Sequence, residues 1–120
     1  MNTDSPAFVL VYEIVCRIPR GKVLTYGLLS HLIGKRLSAQ GVGWALNALP
    51  CSAKVANGKK YHSQNVPWHR VVNSKGGMST HKIIDIPPDM QKQLLEAEGV
   101  KFDSEDKMVL DDYLWHEGLV

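Results

Sequence analysis

The chain has 120 residues, of which 44% are hydrophobic and 22% are charged, which is the composition of an ordinary water-soluble domain. This length suits one hydrophobic core, so residues 1–120 are predicted to form a single domain. No apolar run approaches the roughly 18 residues that a membrane span requires. Residues 1–5 lack the basic and apolar regions of a signal peptide, so neither a membrane-spanning nor a secreted protein is expected.

The formal net charge of +2 combines two segments of opposite sign. Residues 1–75 contain ten lysines and arginines against two acids, a net of +8, whereas residues 76–120 contain four against ten, a net of −6. A basic segment of this kind is typical of a surface that meets phosphate groups. Charge alone supports an unevenly charged solvated surface equally well.

The first helix is predicted to begin at Ser5 and Pro6, because serine is a favourable N-cap and proline fits the first helical position. Its apolar face consists of residues spaced three and four apart: Phe8, Val11, Tyr12, Val15 and Ile18. Cys16 falls inside this apolar pattern and is predicted to be a small core residue.

Two more helices are predicted before residue 50. Thr25 is expected to cap a short helix over residues 26–33, and the turn at residues 34–36 leads to a third helix over residues 38–49. The inner face of the third helix is predicted to contain Val42, Ala45, Leu46 and Leu49. Two short helices joined by a tight turn with glycine form the helix-turn-helix pattern, although other helical hairpins share it.

The rest of the chain has fewer regular elements. Residues 50–65 are polar and are predicted to form a long surface loop, in which Cys51 is a candidate exposed thiol. A last helix is predicted to begin at residues 87–89 and to be ended by Gly99. Residues 100–102 and 108–110 are predicted to pair as short strands. No two of the five histidines stand at metal-ligand spacing beside a cysteine or carboxylate, so neither a metal nor another cofactor is expected.

The most informative segment is residues 67–72, Pro-Trp-His-Arg-Val-Val. It resembles the O6-alkylguanine-DNA alkyltransferase family, whose active members have Pro-Cys-His-Arg-Val, and in particular the alkyltransferase-like branch, where tryptophan commonly replaces the cysteine. Residues 18–27, 41–46 and 94–99 resemble the family's first DNA-binding helix region, recognition helix and glutamate-bearing late helix, in the same order. The resemblance implies a mainly α-helical fold with short strands, like the winged helix-turn-helix of the alkyltransferase DNA-binding domain.

The replacement at position 68 bears on the chemistry. Removal of an O6-alkyl group requires a nucleophile, and an activated thiolate is suited to it. The resemblance implies that His69 and Glu98 form the activating relay, but the Trp68 indole offers no comparable lone pair. We therefore predict no catalysis at this site. Trp68 would instead stack on a base, a contact worth about 1–3 kcal/mol, or it is simply a core aromatic residue.

The resemblance also implies a pocket that receives a flipped alkylguanine, lined by Trp68, His69, Val71, Tyr26 and Glu98. Tyr26 stands where the family has a tyrosine against the 3′ phosphate of the target nucleotide; the alternative is an aromatic residue packed on the core. For Glu98 the alternative is an exposed acid at a helix end, which the helix dipole disfavours.

A second set of residues is expected to contact and distort DNA: Tyr26, Gln40, Gly41, Gly43, Lys35, Arg36 and Arg70. Arg70 is mainly structural in the family. Gln40 stands where the family has an intercalating arginine; it is long enough to insert but lacks the charge and the planar fork. Gly41 and Gly43 would let a backbone approach the third helix closely. Trp44 replaces a small or polar residue of the relatives, which is expected to alter groove contact.

These features predict a non-enzymatic sensor that binds double-stranded DNA, flips O6-alkylguanine into its pocket and flags it for nucleotide excision repair proteins. It is expected to act as a monomer, without a membrane partner, in the nucleus of a eukaryote or the cytoplasm and nucleoid of a prokaryote. Two alternatives stay open. One is a helix-turn-helix regulator with a degenerate pocket, and the other is an active alkyltransferase that uses Cys51 or another thiol.

Overall fold

The structure is a computed structural model that describes residues 6–49, 61–62, 65–77 and 89–119. Its elements, in chain order, are α1 (Pro6–Arg17), β1 (Leu24–Thr25), α2 (Tyr26–Leu32), α3 (Ala39–Asn47), a 3-10 helix (Trp68–Arg70), β2 (Val71–Val72), α4 (Met90–Ala97), α5 (Leu110–Tyr113) and a second 3-10 helix (His116–Leu119). The described part is mostly helical with a short sheet, as the resemblance implies. Ser5, Cys51 and most of the predicted loop at 50–65 lie outside the described residues.

Helices α1 and α3 meet across the main core. All five residues predicted for the inner face of α1 and all four predicted for α3 are buried. All nine belong to one hydrophobic cluster. The Tyr12 hydroxyl donates a hydrogen bond to the Ala45 carbonyl oxygen at 2.5 Å, which ties the two helices together. The periodicity of apolar residues therefore predicted this packing correctly.

The prediction for Cys16 was wrong. Its side chain is exposed on α1, and its thiol lies 3.8 Å from the carbonyl oxygen of Asn65. One residue along an α-helix is about 100° of rotation. Position 16 is therefore turned away from the core-facing Val15, although both lie in the same apolar run.

The two strands are parallel, with Leu24 opposite Val71 and Thr25 opposite Val72, and all four residues are buried. Helices α2 and α3 lie in the connection between them. Because α2 begins immediately after β1, the strand pair places the segment around Trp68 beside the start of the helix-turn-helix.

The predicted pairing of residues 100–102 with 108–110 was wrong, since neither segment is a strand. The Asp103 carboxylate accepts hydrogen bonds from the backbone N–H groups of Glu105 and Lys107, which closes a turn instead. The chain then continues into α5, and the next residue pairs elsewhere: Leu114 forms a parallel bridge with Val23. None of the described helices is long and apolar enough to cross a membrane.

Candidate functional site

Helices α2 and α3 each begin at a side-chain cap. The Thr25 hydroxyl oxygen accepts from the Leu28 N–H at 3.1 Å, and the Ser38 hydroxyl oxygen accepts from the Gly41 N–H at 3.1 Å. Each cap satisfies a backbone donor that the first turn of a helix leaves unpaired. The local sequence thus determines where both helices start, and the cap predicted at Thr25 is confirmed.

The turn between α2 and α3 is equally well defined. Gly34 and Lys35 both have a positive φ, 70° and 61°, which is the left-handed conformation that ends a helix. The Ser30 hydroxyl donates to the Leu37 carbonyl oxygen at 2.5 Å across the turn. Lys35 and Arg36 remain exposed at this turn, where phosphate groups could reach them. The predicted helix-turn-helix is therefore present.

Four residues of α3 share one side of the helix, which we call the outer stripe: Gln40, Gly43, Trp44 and Asn47. Gln40 and Asn47 are exposed, and the Trp44 side chain is 46% exposed. A Cβ atom added at Gly43 would meet no atom within 4 Å. The outer stripe therefore presents one large aromatic ring beside an open space, flanked by two amides and without any charged side chain.

The assignment of Gly41 to the DNA-facing side needs correction. Gly41 is buried, and a Cβ atom there would lie 3.1 Å from the Leu37 Cβ. Its missing side chain makes room for packing between the turn and α3. It does not lower the outer surface of the helix. The open space at Gly43 is compatible with the close approach predicted for both glycines, which stays a prediction for Gly43.

The segment around Trp68 forms a 3-10 turn that runs directly into β2. The Trp68 side chain is only 4% exposed and packs within the main hydrophobic cluster, and Val71 is fully buried. The Trp68 ring meets the His69 imidazole edge-on, with 6.0 Å between ring centroids. This burial supports the core-aromatic alternative for Trp68, and stacking on a flipped base stays a prediction.

Glu98 lies at the C-terminal end of α4 and reaches the motif. Its Oε2 atom is 2.7 Å from His69 Nε2, and the two side chains are 6% and 12% exposed. The Gly21 N–H also donates to Glu98 Oε1, at 3.0 Å. The alternative of an exposed acid is therefore wrong. The structure brings together the histidine and the glutamate that the resemblance pairs.

The protonation states of this pair follow from their surroundings. Burial raises the pKa of Glu98, but hydrogen bonds from Arg70, Gly21 and His69 outweigh it and bring the pKa down to about 2. Burial lowers the pKa of His69 below 6.5, against the raising influence of Glu98. At neutral pH an ionised Glu98 therefore faces a neutral His69, and the proton between them must sit on His69 Nε2.

Arg70 was expected among the DNA-binding residues, and the structure turns it inward. Its Nη2 and Nε atoms donate to the Glu98 carboxylate at 2.8 and 3.0 Å. Its Nη1 atom donates to the Ile18 carbonyl oxygen at 2.7 Å, and the side chain is 17% exposed. These donors are engaged within the protein. Arg70 therefore links the end of α1, the 3-10 turn and the end of α4, which is a structural role.

Gln91 contributes to the site without having been predicted. Its side-chain amide donates to the His69 carbonyl oxygen at 3.0 Å and to the Val71 carbonyl oxygen at 2.8 Å, and the residue is 1% exposed. It thereby holds the backbone on both sides of Arg70. The sequence did contain one signal that Gln91 faces the site, namely its spacing. Gln91 lies one turn before the buried Leu95 and two turns before Glu98, on one face of α4.

The remaining predicted residue, Tyr26, is the first residue of α2. Its ring is half-buried and packs against the main hydrophobic cluster, which agrees with the packing alternative and leaves part of the ring accessible. Within the residues that the structure describes, no group of three or more histidine, cysteine or acidic side chains is placed to hold a metal ion.

Comparison with known proteins identifies relatives. Residues 6–100 match the model of the 6-O-methylguanine DNA methyltransferase DNA-binding domain. The chain is 37% identical to alkyltransferase-like protein 1 of Schizosaccharomyces pombe, covering 90% of this chain and 93% of that protein. It is 38% identical to a DNA base-flipping protein of Vibrio parahaemolyticus, covering 89% and 93%.

A solved structure is similar over nearly the whole chain. It is the S. pombe alkyltransferase-like protein in complex with damaged DNA containing O6-carboxymethylguanine, with 37% identity and a TM-score of 0.70. The match covers 96% of this chain and 98% of that one. Similarity in sequence and in fold therefore agree, and both extend over the helix-turn-helix and the segment around Trp68.

Proposed function

The chain belongs to the family of the 6-O-methylguanine DNA methyltransferase DNA-binding domain, in its alkyltransferase-like branch, and we propose that it binds O6-alkylguanine in duplex DNA without removing the alkyl group. The family membership and the relative bound to damaged DNA support the binding part of this proposal. The residues around position 68 support the absence of transfer.

The observation that carries the proposal is a relay without a nucleophile. His69 and Glu98 are in contact, with 2.7 Å between His69 Nε2 and Glu98 Oε2. The residue before His69, however, is the buried Trp68. An indole cannot displace an alkyl group from O6 of guanine, since that step needs a nucleophile such as a thiolate. The Cys16 thiol is exposed on α1, 3.8 Å from the Asn65 carbonyl oxygen, whereas Trp68 is buried in the main hydrophobic cluster.

The proposed binding mode uses the helix-turn-helix and the motif together. Helix α3 meets the duplex through its outer stripe, with Lys35 and Arg36 beside phosphate groups. Gln40 enters the space that the flipped base leaves, and the base turns toward Tyr26 and the segment around Trp68. Recruitment of nucleotide excision repair, a monomeric state and an intracellular location belong to the same proposal.

A titration tests this function. The protein is added to two duplexes at one salt concentration, identical except that one carries O6-methylguanine in place of guanine, and the protein mass is measured afterwards. We expect tighter binding to the alkylated duplex and an unchanged protein mass. A mass increase of one methyl group would show an active transferase, and equal affinity for both duplexes would favour a helix-turn-helix regulator.

A double variant, Lys35→Ala with Arg36→Ala, serves as the control for the titration. Both side chains are exposed at the turn before α3, so their removal leaves the core unchanged. Because phosphate contacts carry no sequence information, the double variant should weaken binding to both duplexes alike. The preference for the alkylated duplex should therefore survive in this variant if it arises from the pocket.

A further inference from the structure

Trp44 is the large aromatic side chain of the outer stripe, and the fold does not account for it. The side chain is 46% exposed, while the opposite face of α3 supplies Val42, Ala45 and Leu46 to the core. An exposed tryptophan on a short helix loses favourable burial of its ring. Single exposed apolar residues are common on protein surfaces. Trp44 differs in its place, because it lies in the outer stripe with two exposed amides and the open space at Gly43.

The outer stripe indicates what kind of partner fits. At about 100° per residue, Gln40, Trp44 and Asn47 fall within about 60° of one another around the helix axis. Proteins that bind the DNA minor groove combine arginine, lysine, asparagine or glutamine side chains, which read its few donors and acceptors, with apolar wedges inserted between base pairs. The two amides of the outer stripe match the first part of that combination, and the Trp44 ring matches the second.

The spacing along α3 also fits base steps. Gln40 and Trp44 are four residues apart, which is about 6 Å along an α-helix at 1.5 Å per residue. Base pairs are stacked about 3.4 Å apart. A helix that lies along the groove would therefore bring Trp44 to a position about two base steps from the one that Gln40 meets. The open space at Gly43 lets the backbone of α3 approach the groove beside the indole.

We propose that Trp44 is a second wedge, which enters the minor groove about two base steps from the flipped nucleotide and unstacks the base pairs there. This inference rests on the proposed binding of DNA, and it adds a contact that does not depend on the lesion. An arginine inserted at position 40 would add affinity for DNA through its positive charge, which Gln40 lacks. Stacking of Trp44 on a base adds affinity that Gln40 does not supply.

The test uses Trp44→Ala and Trp44→Phe, with Val109→Ala as the matched control, because Val109 is another exposed apolar residue (64%) and lies outside α3. Affinity is measured on the plain and the O6-methylguanine duplex. Trp44→Ala should weaken binding to both by about 5- to 150-fold, the range expected for the loss of one base–aromatic stack. Trp44→Phe should lose less, and Val109→Ala should change neither affinity.

A fluorescent base distinguishes insertion from surface contact. The duplex carries 2-aminopurine two base pairs from the lesion, and its emission should rise on binding of the wild type and of Trp44→Phe but not of Trp44→Ala. Unchanged affinity of Trp44→Ala would overturn the inference and assign the indole to a protein partner. Weaker binding with an undiminished rise in emission would also overturn it. Failure of the proposed function would give a different result from failure of this inference, because the wild type would then not prefer the alkylated duplex.

Discussion

Replacing Glu98 with glutamine is expected to destabilise the fold at neutral pH, by an amount that shrinks in acid. The carboxylate accepts hydrogen bonds from His69, Arg70 and the Gly21 backbone, and its side chain is 6% exposed. Glutamine removes the negative charge and turns an amide nitrogen toward at least one of these donors. The Arg70 guanidinium would then be largely buried without its counter-ion, which is a costly state.

The magnitude follows from the pKa of Glu98, which falls from an ordinary value of 4.5 to about 2 in the folded chain. One pKa unit corresponds to about 1.4 kcal/mol, so the ionised carboxylate contributes about 3 kcal/mol to the free energy of unfolding. Because the pKa is lower in the folded state, the unfolded chain takes up this proton first as the pH falls. The contribution is complete well above pH 4.5 and is lost as the pH falls toward about 2.

Urea unfolding followed by circular dichroism measures this effect in the wild type, in Glu98→Gln and in the control Glu96→Gln. At pH 7 the wild type should exceed Glu98→Gln by about 3 kcal/mol, and this difference should shrink by about 2 kcal/mol at pH 3. Glu96 is exposed on the same helix, and its replacement should matter by less than about 0.5 kcal/mol. A difference that is constant between pH 7 and pH 3 would refute an ionised, hydrogen-bonded Glu98.

Four further predictions concern single residues. Tyr26→Ala should weaken binding to the alkylated duplex by about tenfold or more with an unchanged circular dichroism spectrum; unaltered affinity would argue against flipping. Gln40→Arg should tighten DNA binding and steepen its salt dependence by about one phosphate equivalent, which a salt titration of affinity measures. The imidazole of His69 should titrate in NMR with a pKa below 6.5, and lower still in the Glu98 variant, because Glu98 raises this pKa; a value above 6.5 would be contradictory. Gln91→Leu should cost about 1–3 kcal/mol in urea unfolding, since two buried carbonyls lose their donor, whereas exposed Gln93→Leu should cost little.

The helical half of the fold could be predicted because its determinants are local. The apolar spacing in α1 and the caps at Thr25 and Ser38 are encoded within a few residues of where they act. The β1–β2 pairing has no such signal, since each strand has two residues and the partners are far apart in the chain. The same limit explains the error at residues 100–110. There the short apolar segments suggested a hairpin, but Asp103 closes a turn.

The site was only partly predictable. The pairing of His69 with Glu98 came from the resemblance, and the structure places the two in contact. The inward direction of Arg70 and of Gly41 could not be read from the sequence, because both depend on tertiary neighbours. Gln91 was missed because glutamine on a helix is usually exposed, and its burial becomes apparent only when its two carbonyl partners are in place.

The three-way anchorage of Arg70 gives the Glu98 carboxylate a structural task that is independent of any chemistry at position 68. Arg70 and Glu98 fasten together the end of α1, the turn after Pro67 and the end of α4. Loss of the Glu98 carboxylate would therefore loosen three elements at once, whatever residue stands at position 68. A histidine–glutamate pair in a sequence is then no evidence of alkyl transfer by itself, because the same carboxylate also holds the fold together.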